Sequence, residues 1–192
     1  MVRLEGKYIP KDEIRSHEPY FEYGATLIET LGKPESVCDL GCANGQLLAY
    51  LDIYNINLLG LEYFQWQKDA AQVEIKDKII VHDLRKPYEN DRRYDVVNCT
   101  EVGEHIDAEY AQVLIDNIKR LSRKWIITTW SKDGDDPHGQ HLNPLPYKDY
   151  IKLFQDNGFR KNDVMTAKFL NASHKYKNFY FWWRDSLVIW TL

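Results

Sequence analysis

The sequence predicts a single α/β domain in which seven strands form a mostly parallel sheet, with helices on both faces and an antiparallel hairpin at the C-terminal end. Three observations lead to this prediction. Short apolar runs alternate along the chain with longer stretches of helical periodicity. Two of those runs end in an acidic side chain, Asp39 and Glu62. A chain of 192 residues, 44% of them hydrophobic, is also large enough to bury one core.

Each element follows from its local pattern in chain order. The first helix is predicted over 22–31 and is ended by Gly32 and Pro34. Strands are predicted near 36–40, 56–62, 78–82, 94–99 and 124–130, and the helices between and after them near 44–53, 64–74, 107–122 and 146–157. From about 163 to 192, we expect two aromatic-rich strands joined by a loop around 171–177.

Composition excludes several classes of protein. The N-terminal segment has no apolar core of the kind found in signal peptides, and no run of about 18 apolar residues occurs, so we expect a cytoplasmic protein without a membrane span. The three cysteines, Cys38, Cys42 and Cys99, fit reduced thiols better than a disulfide framework. The net charge of −4 gives weak overall attraction to nucleic acid.

One local exception to that charge balance lies near the C-terminus. From 160 to 192 the chain carries six basic side chains against two acids, interleaved with aromatic residues. Such a segment can form a stacking groove for bases or sugars. It can equally be a pair of strands whose aromatic faces pack inside and whose lysines are solvated.

The loop after the first strand of the sheet predicts a nucleotide site. Small residues at Gly41, Ala43 and Gly45 allow backbone N–H groups to approach a ligand, and a helix begins directly afterwards. Glu62, at the end of the next strand, lies 21 positions after Gly41, where an acid reaches ribose hydroxyls in doubly wound sheets. The dinucleotide fingerprint is not met, because Ala43 replaces its middle glycine and Gln46 its last.

The pattern Asp39-x-Gly41-x-x-x-Gly45 resembles the first motif of class I S-adenosylmethionine-dependent methyltransferases. The resemblance extends over roughly residues 20–192 and implies a Rossmann-like fold that binds S-adenosylmethionine. It implies that Asp83 contacts the adenine amino group and that Tyr63 lies against the ring. The full set of cofactor residues expected on this basis is Asp39, Gly41, Ala43, Gly45, Glu62, Tyr63, Asp83, Leu84 and Cys99.

A second group of residues suggests how an acceptor is handled. In Glu101-x-x-Glu104-His105 the two carboxylates and the imidazole fall on one face of a helical turn, and His141 can join them. A mixed oxygen and nitrogen set of this kind suits Mg²⁺, Mn²⁺ or Zn²⁺. The alternatives are that His105 is a general base, or that Glu104 and His105 only make hydrogen bonds at the start of a helix.

This segment also resembles the ubiquinone-pathway O-methyltransferases and the small-RNA 3′-end 2′-O-methyltransferases. In those families such residues hold a metal that activates a hydroxyl, which implies Glu101, Glu104 and His105 as ligands and His141 or His138 as the fourth. Many relatives carry a similar Glu-His pair with no metal. We therefore expect His105, Glu104 and His141 to act on the acceptor, either directly or through a metal.

These expectations divide the single domain, 1–192, into four parts. They are an N-terminal helical cap at 1–35, a cofactor-binding core at 36–130, a substrate loop at 131–145, and a C-terminal helix and hairpin at 146–192. The loop is long and polar and lies at the carboxyl edge of the sheet, where ligands of such folds bind. Four residues of the cap can either cover the site, in this chain or in a partner, or pack in the core: Tyr8, His17, Tyr20 and Tyr23.

The expected activity is methyl transfer to an oxygen of a small molecule or sugar. Methylation of an RNA 2′-hydroxyl is the alternative within the same class of enzyme. Two further alternatives come from other classes: a nicotinamide-dependent oxidoreductase, which the missing third glycine disfavours, and a module that binds S-adenosylmethionine without catalysis. Monomer and homodimer are both compatible with the sequence.

Overall fold

The computed structural model describes residues 2–4, 7–9, 11–132 and 140–192, with side chains from residue 19 onward except those of Phe181 and Trp182. Two short strands, β1 (Val2–Leu4) and β2 (Lys7–Ile9), form a separate antiparallel pair. The main sheet follows them in the chain. Among the described residues, no helix combines the length and the apolar character needed to cross a bilayer.

The main sheet has seven strands and confirms the predicted α/β fold. Its strands are β3 (Ser36–Leu40), β4 (Asn57–Glu62), β5 (Ile79–Val81), β6 (Tyr94–Cys99), β7 (Ser122–Thr128), β8 (Arg160–Lys161) and β9 (Val188–Thr191), in the spatial order β5-β4-β3-β6-β7-β9-β8. Strands β3 to β7 are parallel, whereas β9 is antiparallel to both of its neighbours. The direction of strand progression reverses between β3 and β6, which is where ligands of open α/β sheets bind.

Helices cover both faces of this sheet. They are α1 (Lys11–Leu31), α2 (Gln46–Asp52), α3 (Gln65–Ala70), α4 (Val73–Lys76), α5 (Ala111–Leu121), α6 (Tyr147–Asp156), α7 (Asp163–Ser173) and α8 (Phe181–Ser186), with 3₁₀ turns at Gly103–His105 and Ala108–Tyr110. Apolar side chains of α5 and α6 form one core cluster with the sheet. Those of α1, α2 and α7 form a second cluster on the opposite face.

Two predicted helices differ from the observed ones. The first begins at Lys11 rather than near residue 22, and it contains Pro19, a residue that normally marks a helix break. The helix predicted over 64–74 is two helices, α3 and α4, because Ala71 adopts an extended conformation with ψ of 152° between them. The remaining predicted helices and strands agree with the observed ones to within a few residues.

The C-terminal segment requires a correction. The antiparallel pair exists, but it consists of β8 and β9, and the region from 163 to 187 contains two helices instead of an aromatic-rich strand. Helix α7 begins because the Asn162 side chain accepts the backbone N–H of Met165 at 3.0 Å. Its buried residues, Thr166, Phe169 and Ser173, recur at helical spacing. The buried positions of this segment therefore follow a helical period.

Candidate functional site

A cleft of about 370 Å³ opens at the carboxyl edge of the sheet, where β3 and β6 lie side by side. The loop after β3 contributes Gly41, Cys42 and Ala43 to its lining. The ends of β3 and β6 and the residues after β6 contribute polar groups, namely Asp39, Asn98, Thr100 and Glu101. The cleft therefore lies at the topological switch point of the sheet.

The loop that borders the cleft depends on three residues with positive φ. Gly41, Ala43 and Gly45 have φ of 72°, 47° and 74°. A methyl group at Gly41 would meet Val102 at 2.4 Å, and one at Gly45 would meet Ile75 at 2.7 Å. The small side chains thus serve the backbone conformation and the packing behind the loop. Their part in the approach of a ligand stays a prediction.

Glu62 is connected directly to this loop. Its Oε2 accepts the backbone N–H of Ala43 at 2.9 Å, and its Oε1 accepts the N–H of Phe64 at the same distance. The carboxylate is buried, and each oxygen keeps a lone pair for a further donor. Glu62 therefore lies beside the loop that the sequence analysis paired with it, and it can still accept hydrogen bonds from hydroxyl groups.

A buried chain of hydrogen bonds forms the floor of the cleft. The Tyr23 hydroxyl donates to Asn98 Oδ1 at 2.6 Å, and Asn98 Nδ2 donates to Asp39 Oδ1 at 2.7 Å. Burial raises the pKa of Asp39 to about 7, although the hydrogen bond from Asn98 opposes the shift. Burial likewise raises the pKa of Tyr23. These groups form a hydrogen-bonded floor beneath any ligand in the cleft.

Aromatic rings from two helices form the opposite wall. Tyr20, from α1, packs edge to face against Tyr180 and Trp183, with ring centroids 6.3 and 5.5 Å apart. The rings of Tyr180 and Trp183 are themselves 4.8 Å apart. Tyr20 lies far from the other two residues in the sequence, but all three line the cleft together, and we refer to them as the aromatic wall.

Six of the nine predicted cofactor residues are not among the lining residues of the cleft, namely Gly45, Glu62, Tyr63, Asp83, Leu84 and Cys99. Gly45 belongs to the loop that borders the cleft, and Glu62 is hydrogen-bonded to that loop. Leu84 and Cys99 are buried in the core cluster on the α5 side of the sheet. Tyr63 is 51% exposed at the end of β4, and Asp83 follows β5 with its carboxylate paired to Arg85. Tyr63 and Asp83 therefore lie farther along the same edge of the sheet, toward β5.

The predicted carboxylate and histidine group is also present. Side-chain ligand atoms of Glu104, His105 and His141 all lie within 4.8 Å of one another. Glu101 is not part of this trio. Burial raises the pKa of Glu101, and the nearby side chains of Thr129, His141 and His105 oppose that shift. The structure thus brings together three of the four predicted metal ligands, with the fourth beside them.

Glu104 has an unusual environment. It is fully buried, and among the described residues neither of its oxygens has a hydrogen-bond donor within hydrogen-bonding geometry. Burial, followed by the negative charge of Glu101, raises the pKa of Glu104 to about 8. Negative charge on a carboxylate at this depth is costly, which favours a bound proton or a nearby cation.

The segment leading to His141 is held against the same cluster. The backbone N–H groups of Leu142 and Asn143 both donate to the Glu104 carbonyl, at 2.7 and 2.9 Å. Trp130 Nε1 donates to the Asn143 carbonyl at 2.8 Å. Residues 133–139 of the predicted substrate loop, with His138, lie outside the described residues, as do the side chains of Tyr8 and His17. Because the residues after His141 are hydrogen-bonded to the Glu104 backbone, His141 is held close to Glu104.

Several lining residues were not among the predicted site residues. Asn98 and Thr100 follow directly from the position of β6, since the carboxyl end of the strand beside β3 must face the cleft. Tyr180 and Trp183 belong to a segment that the sequence analysis interpreted as a strand. The one signal for them was the high density of aromatic residues near the C-terminus.

Comparison with known proteins gives a consistent set of matches. Residues 13–164 match the sequence profile of a methyltransferase domain. A ubiquinone biosynthesis O-methyltransferase from Rickettsia bellii is 30% identical over 94 residues, which cover 47% of this chain and 39% of that protein. The match thus spans well under half the length of this curated relative.

Solved structures share the fold at lower identity. A TehB-like S-adenosylmethionine-dependent methyltransferase from Corynebacterium glutamicum superposes with a TM-score of 0.65 at 13% identity, covering 88% of this chain and 86% of that one. Magnesium protoporphyrin IX methyltransferase from Synechocystis, with bound S-adenosylhomocysteine, gives 0.61 at 21% identity, covering 81% and 80%. At these identities the likeness establishes a shared Rossmann-like fold.

Proposed function

The chain belongs to the methyltransferase domain family, and on that basis we propose that it transfers the methyl group of S-adenosylmethionine to a hydroxyl oxygen of a small molecule. One observation carries the proposal. Glu62 lies against the loop after β3, next to the cleft at the switch point of the sheet. That arrangement supports Glu62 as the ribose acceptor, with the neighbouring cleft as the space for the rest of the cofactor.

The residues present fit an adenosyl cofactor. Glu62 retains lone pairs for the two ribose hydroxyls. Asp39 and Glu101 line one side of the cleft and the aromatic wall lines another, and both kinds of group favour a positive charge between them. When bound, S-adenosylmethionine supplies a methyl group on a positively charged sulfur, and this cleft suits that charge.

Methyl transfer from sulfur to oxygen requires alignment and one proton acceptor. The bond between sulfur and the methyl carbon breaks, its electron pair stays on sulfur, and the carbon bonds to the acceptor oxygen, whose proton passes to a base. Holding the reactants in line contributes an effective molarity on the order of 10⁵–10⁸ M. His105 and His141 are the bases proposed to accept the proton, and Glu104 orients or polarises them.

The same cluster is a candidate divalent metal site. Glu104, His105 and His141 supply one oxygen and two nitrogens, a donor set suited to Mn²⁺ or Zn²⁺, and more oxygen ligands would suit Mg²⁺. The two unpaired oxygens of Glu104 support this proposal, because a cation would compensate the buried charge. A metal there would lower the pKa of a coordinated hydroxyl and remove the need for a strong base.

The acceptor is proposed to be a small molecule, with a sugar hydroxyl included in that class. The Rickettsia relative is named for ubiquinone biosynthesis, which supports a small acceptor. RNA is the alternative, and the basic C-terminal segment would have to bind its phosphates. Five of the six basic side chains in that segment already contact other groups of the chain, namely Arg160, Lys161, Lys168, Lys175 and Arg184. Because these side chains already contact other groups of the chain, they are less available to bind phosphates, which favours a small acceptor over RNA.

The proposal is tested by supplying S-adenosylmethionine with a labelled methyl group and panels of phenols, sugars and short RNAs. The expected result is formation of S-adenosylhomocysteine together with label on the oxygen of a small acceptor. Binding of the cofactor without product from any panel would instead identify a binding module. Product from RNA alone, with an affinity that falls steeply with salt, would overturn the small-molecule assignment.

A further inference from the structure

Arg85 joins the ends of two neighbouring strands at the edge of the sheet where the cleft lies. Its Nε donates to Asp83 Oδ1 at 2.9 Å and its Nη2 donates to Asp83 Oδ2 at 3.0 Å. The backbone N–H of Arg85 also donates to Asp83 Oδ1, at 3.0 Å. The guanidinium therefore donates to both oxygens of the carboxylate and fixes the plane of the Asp83 carboxylate group.

The same guanidinium is held from two other sides. Its central carbon lies 5.3 Å from the centre of the Tyr63 ring and 5.9 Å from that of Tyr110. Its Nη2 also donates to the Tyr63 hydroxyl at 3.4 Å, and Nη1 lies 3.8 Å from Asp107. Arg85 thus links Tyr63 after β4, Asp83 after β5 and the 3₁₀ turn before α5.

The position of these residues relative to Glu62 suggests their ligand. Glu62 pairs with Val81 in the register of β4 and β5, so Asp83 lies two residues beyond the level of Glu62 on the adjacent strand. A nucleoside whose ribose binds Glu62 at the cleft side extends its base along the strand ends. Tyr63 and Asp83 lie at those ends, on the side away from the cleft.

We propose that Arg85 is a positioning residue that holds Asp83 to accept a hydrogen bond from the 6-amino group of adenine and holds Tyr63 as a wall for the ring. The inference rests on the proposed function, since it assumes that the ligand is an adenosyl group. Each Asp83 oxygen has a second lone pair, so binding to Arg85 leaves an acceptor for the base.

The proposal assigns base specificity to this arrangement. An ionised carboxylate can only accept, and the hydrogen bonds and charge of Arg85 lower the pKa of Asp83 below its usual value, against a smaller effect of burial. Adenine offers a donor at position 6, whereas hypoxanthine presents an oxygen that the carboxylate repels. Lysine supplies a similar charge without the planar fork, so it cannot fix the carboxylate plane or stack on Tyr63.

The test measures the dissociation constants of S-adenosylhomocysteine and of its analogue with hypoxanthine in place of adenine. Calorimetry is run on the wild-type protein, Arg85→Lys, Arg85→Ala and the control Arg123→Ala. Arg123 Nε donates to Asp95 Oδ1 at 2.8 Å near the start of β6, away from the proposed base site. The control therefore removes a comparable ion pair without touching the adenine side.

We expect the wild-type protein and Arg123→Ala to prefer the adenine compound by at least about tenfold. In Arg85→Ala the affinity for that compound falls about tenfold and the preference between the two bases shrinks toward one, with Arg85→Lys close to Arg85→Ala. At saturating S-adenosylmethionine the turnover number of the control Arg123→Ala stays near that of the wild type, because Arg123 lies away from the proposed base site.

Two results overturn the inference while leaving the proposed function intact. The first is wild-type preference for adenine in Arg85→Ala. The second is tighter binding in that variant, which would mean that Arg85 occupies the base site and must move away. Failure of the wild-type protein to bind either compound is a different outcome, since it contradicts the proposed function itself.

Discussion

The backbone N–H of Ala43 donates to Oε2 of Glu62 at 2.9 Å, although the two residues are 19 positions apart in the sequence. This bond joins the loop after β3 to the end of β4. A second bond, from the N–H of Phe64 to Oε1, fixes the other oxygen. Glu62 therefore both shapes the loop and faces the proposed ribose, so the site is arranged before any ligand arrives.

Glu104→Gln and His105→Ala are expected to lower turnover by about 100-fold or more while S-adenosylmethionine affinity stays within about twofold of the wild type. The reason is that both residues lie in the cluster proposed to handle the acceptor proton, on the side of the cleft away from Glu62. Steady-state kinetics and calorimetry measure the two quantities. Glu109→Gln, on the exposed 3₁₀ turn, is the matched control. Unchanged turnover in both variants would remove these residues from the chemistry.

Metal removal separates the two versions of the chemistry at that cluster. If Glu104, His105 and His141 hold a divalent ion, dialysis against a chelator abolishes turnover, and added Mg²⁺, Mn²⁺ or Zn²⁺ restores it. Binding of S-adenosylhomocysteine should be unaffected by the chelator. Atomic emission measures the metal content after dialysis. Full turnover by metal-free protein would contradict the metal site and would favour a histidine as the base.

Asp39 makes the stability of the protein depend on pH. Burial raises its pKa from 3.8 to about 7, so between these values the folded state keeps a proton that the unfolded state releases. The free energy of unfolding therefore falls as the pH rises through this window. We expect wild-type stability to drop by about 2–3 kcal/mol relative to Asp39→Asn between pH 5 and pH 8, measured by urea denaturation.

Asp95→Asn is the control for that experiment, because the shift of Asp95 has the opposite sign. Burial acts to raise its pKa, but the hydrogen bonds from Arg123 and from the Glu35 backbone N–H, together with the charge of Arg123, hold it below its ordinary value of 3.8. Its contribution to stability is present above the unfolded pKa and is lost only as the pH falls through the lower folded pKa. If the free energy of unfolding changes by the same amount between pH 5 and pH 8 in the wild type and in Asp39→Asn, Asp39 is not the responsible group.

Tyr23→Phe tests the buried hydrogen-bond chain beneath the cleft. The phenylalanine ring keeps the contacts with Phe169 and Trp183 but leaves Asn98 Oδ1 without its donor. The cost should be about 1–3 kcal/mol in the free energy of unfolding. Tyr147→Phe, at a side chain that is 44% exposed, should cost far less. Equal losses in the two variants would contradict the role given to the Tyr23 hydroxyl.

The sheet was predictable from the sequence because its strands are short apolar runs separated by turn residues. β3, β4 and β6 each appear at the predicted place, and their parallel pairing puts their ends at one edge. The C-terminal helices were not predicted correctly. In a short aromatic segment, spacings of two and of three or four residues both occur, so periodicity alone does not separate strand from helix.

The site was predictable only where it depends on strand order. The pairing of the glycine loop with Glu62 follows from two adjacent strands, and the structure places them in direct contact. The aromatic wall joins Tyr20 to Trp183, residues from opposite ends of the chain, and such a contact arises from tertiary packing that no local pattern encodes. The roles of Glu104, His105 and His141 remain predictions that the experiments above test.

The central claim is that the cleft beside Glu62 binds an adenosyl cofactor, and calorimetric titration of S-adenosylhomocysteine into wild-type protein and Glu62→Ala tests it most directly. We predict one site per chain in the wild type and affinity at least about 100-fold weaker in the variant, which loses the ribose acceptor and the tie to Ala43. Glu35→Ala, at an exposed position before β3, should bind as the wild type does. Absence of binding by the wild-type protein, or equal affinity in Glu62→Ala, would contradict the claim.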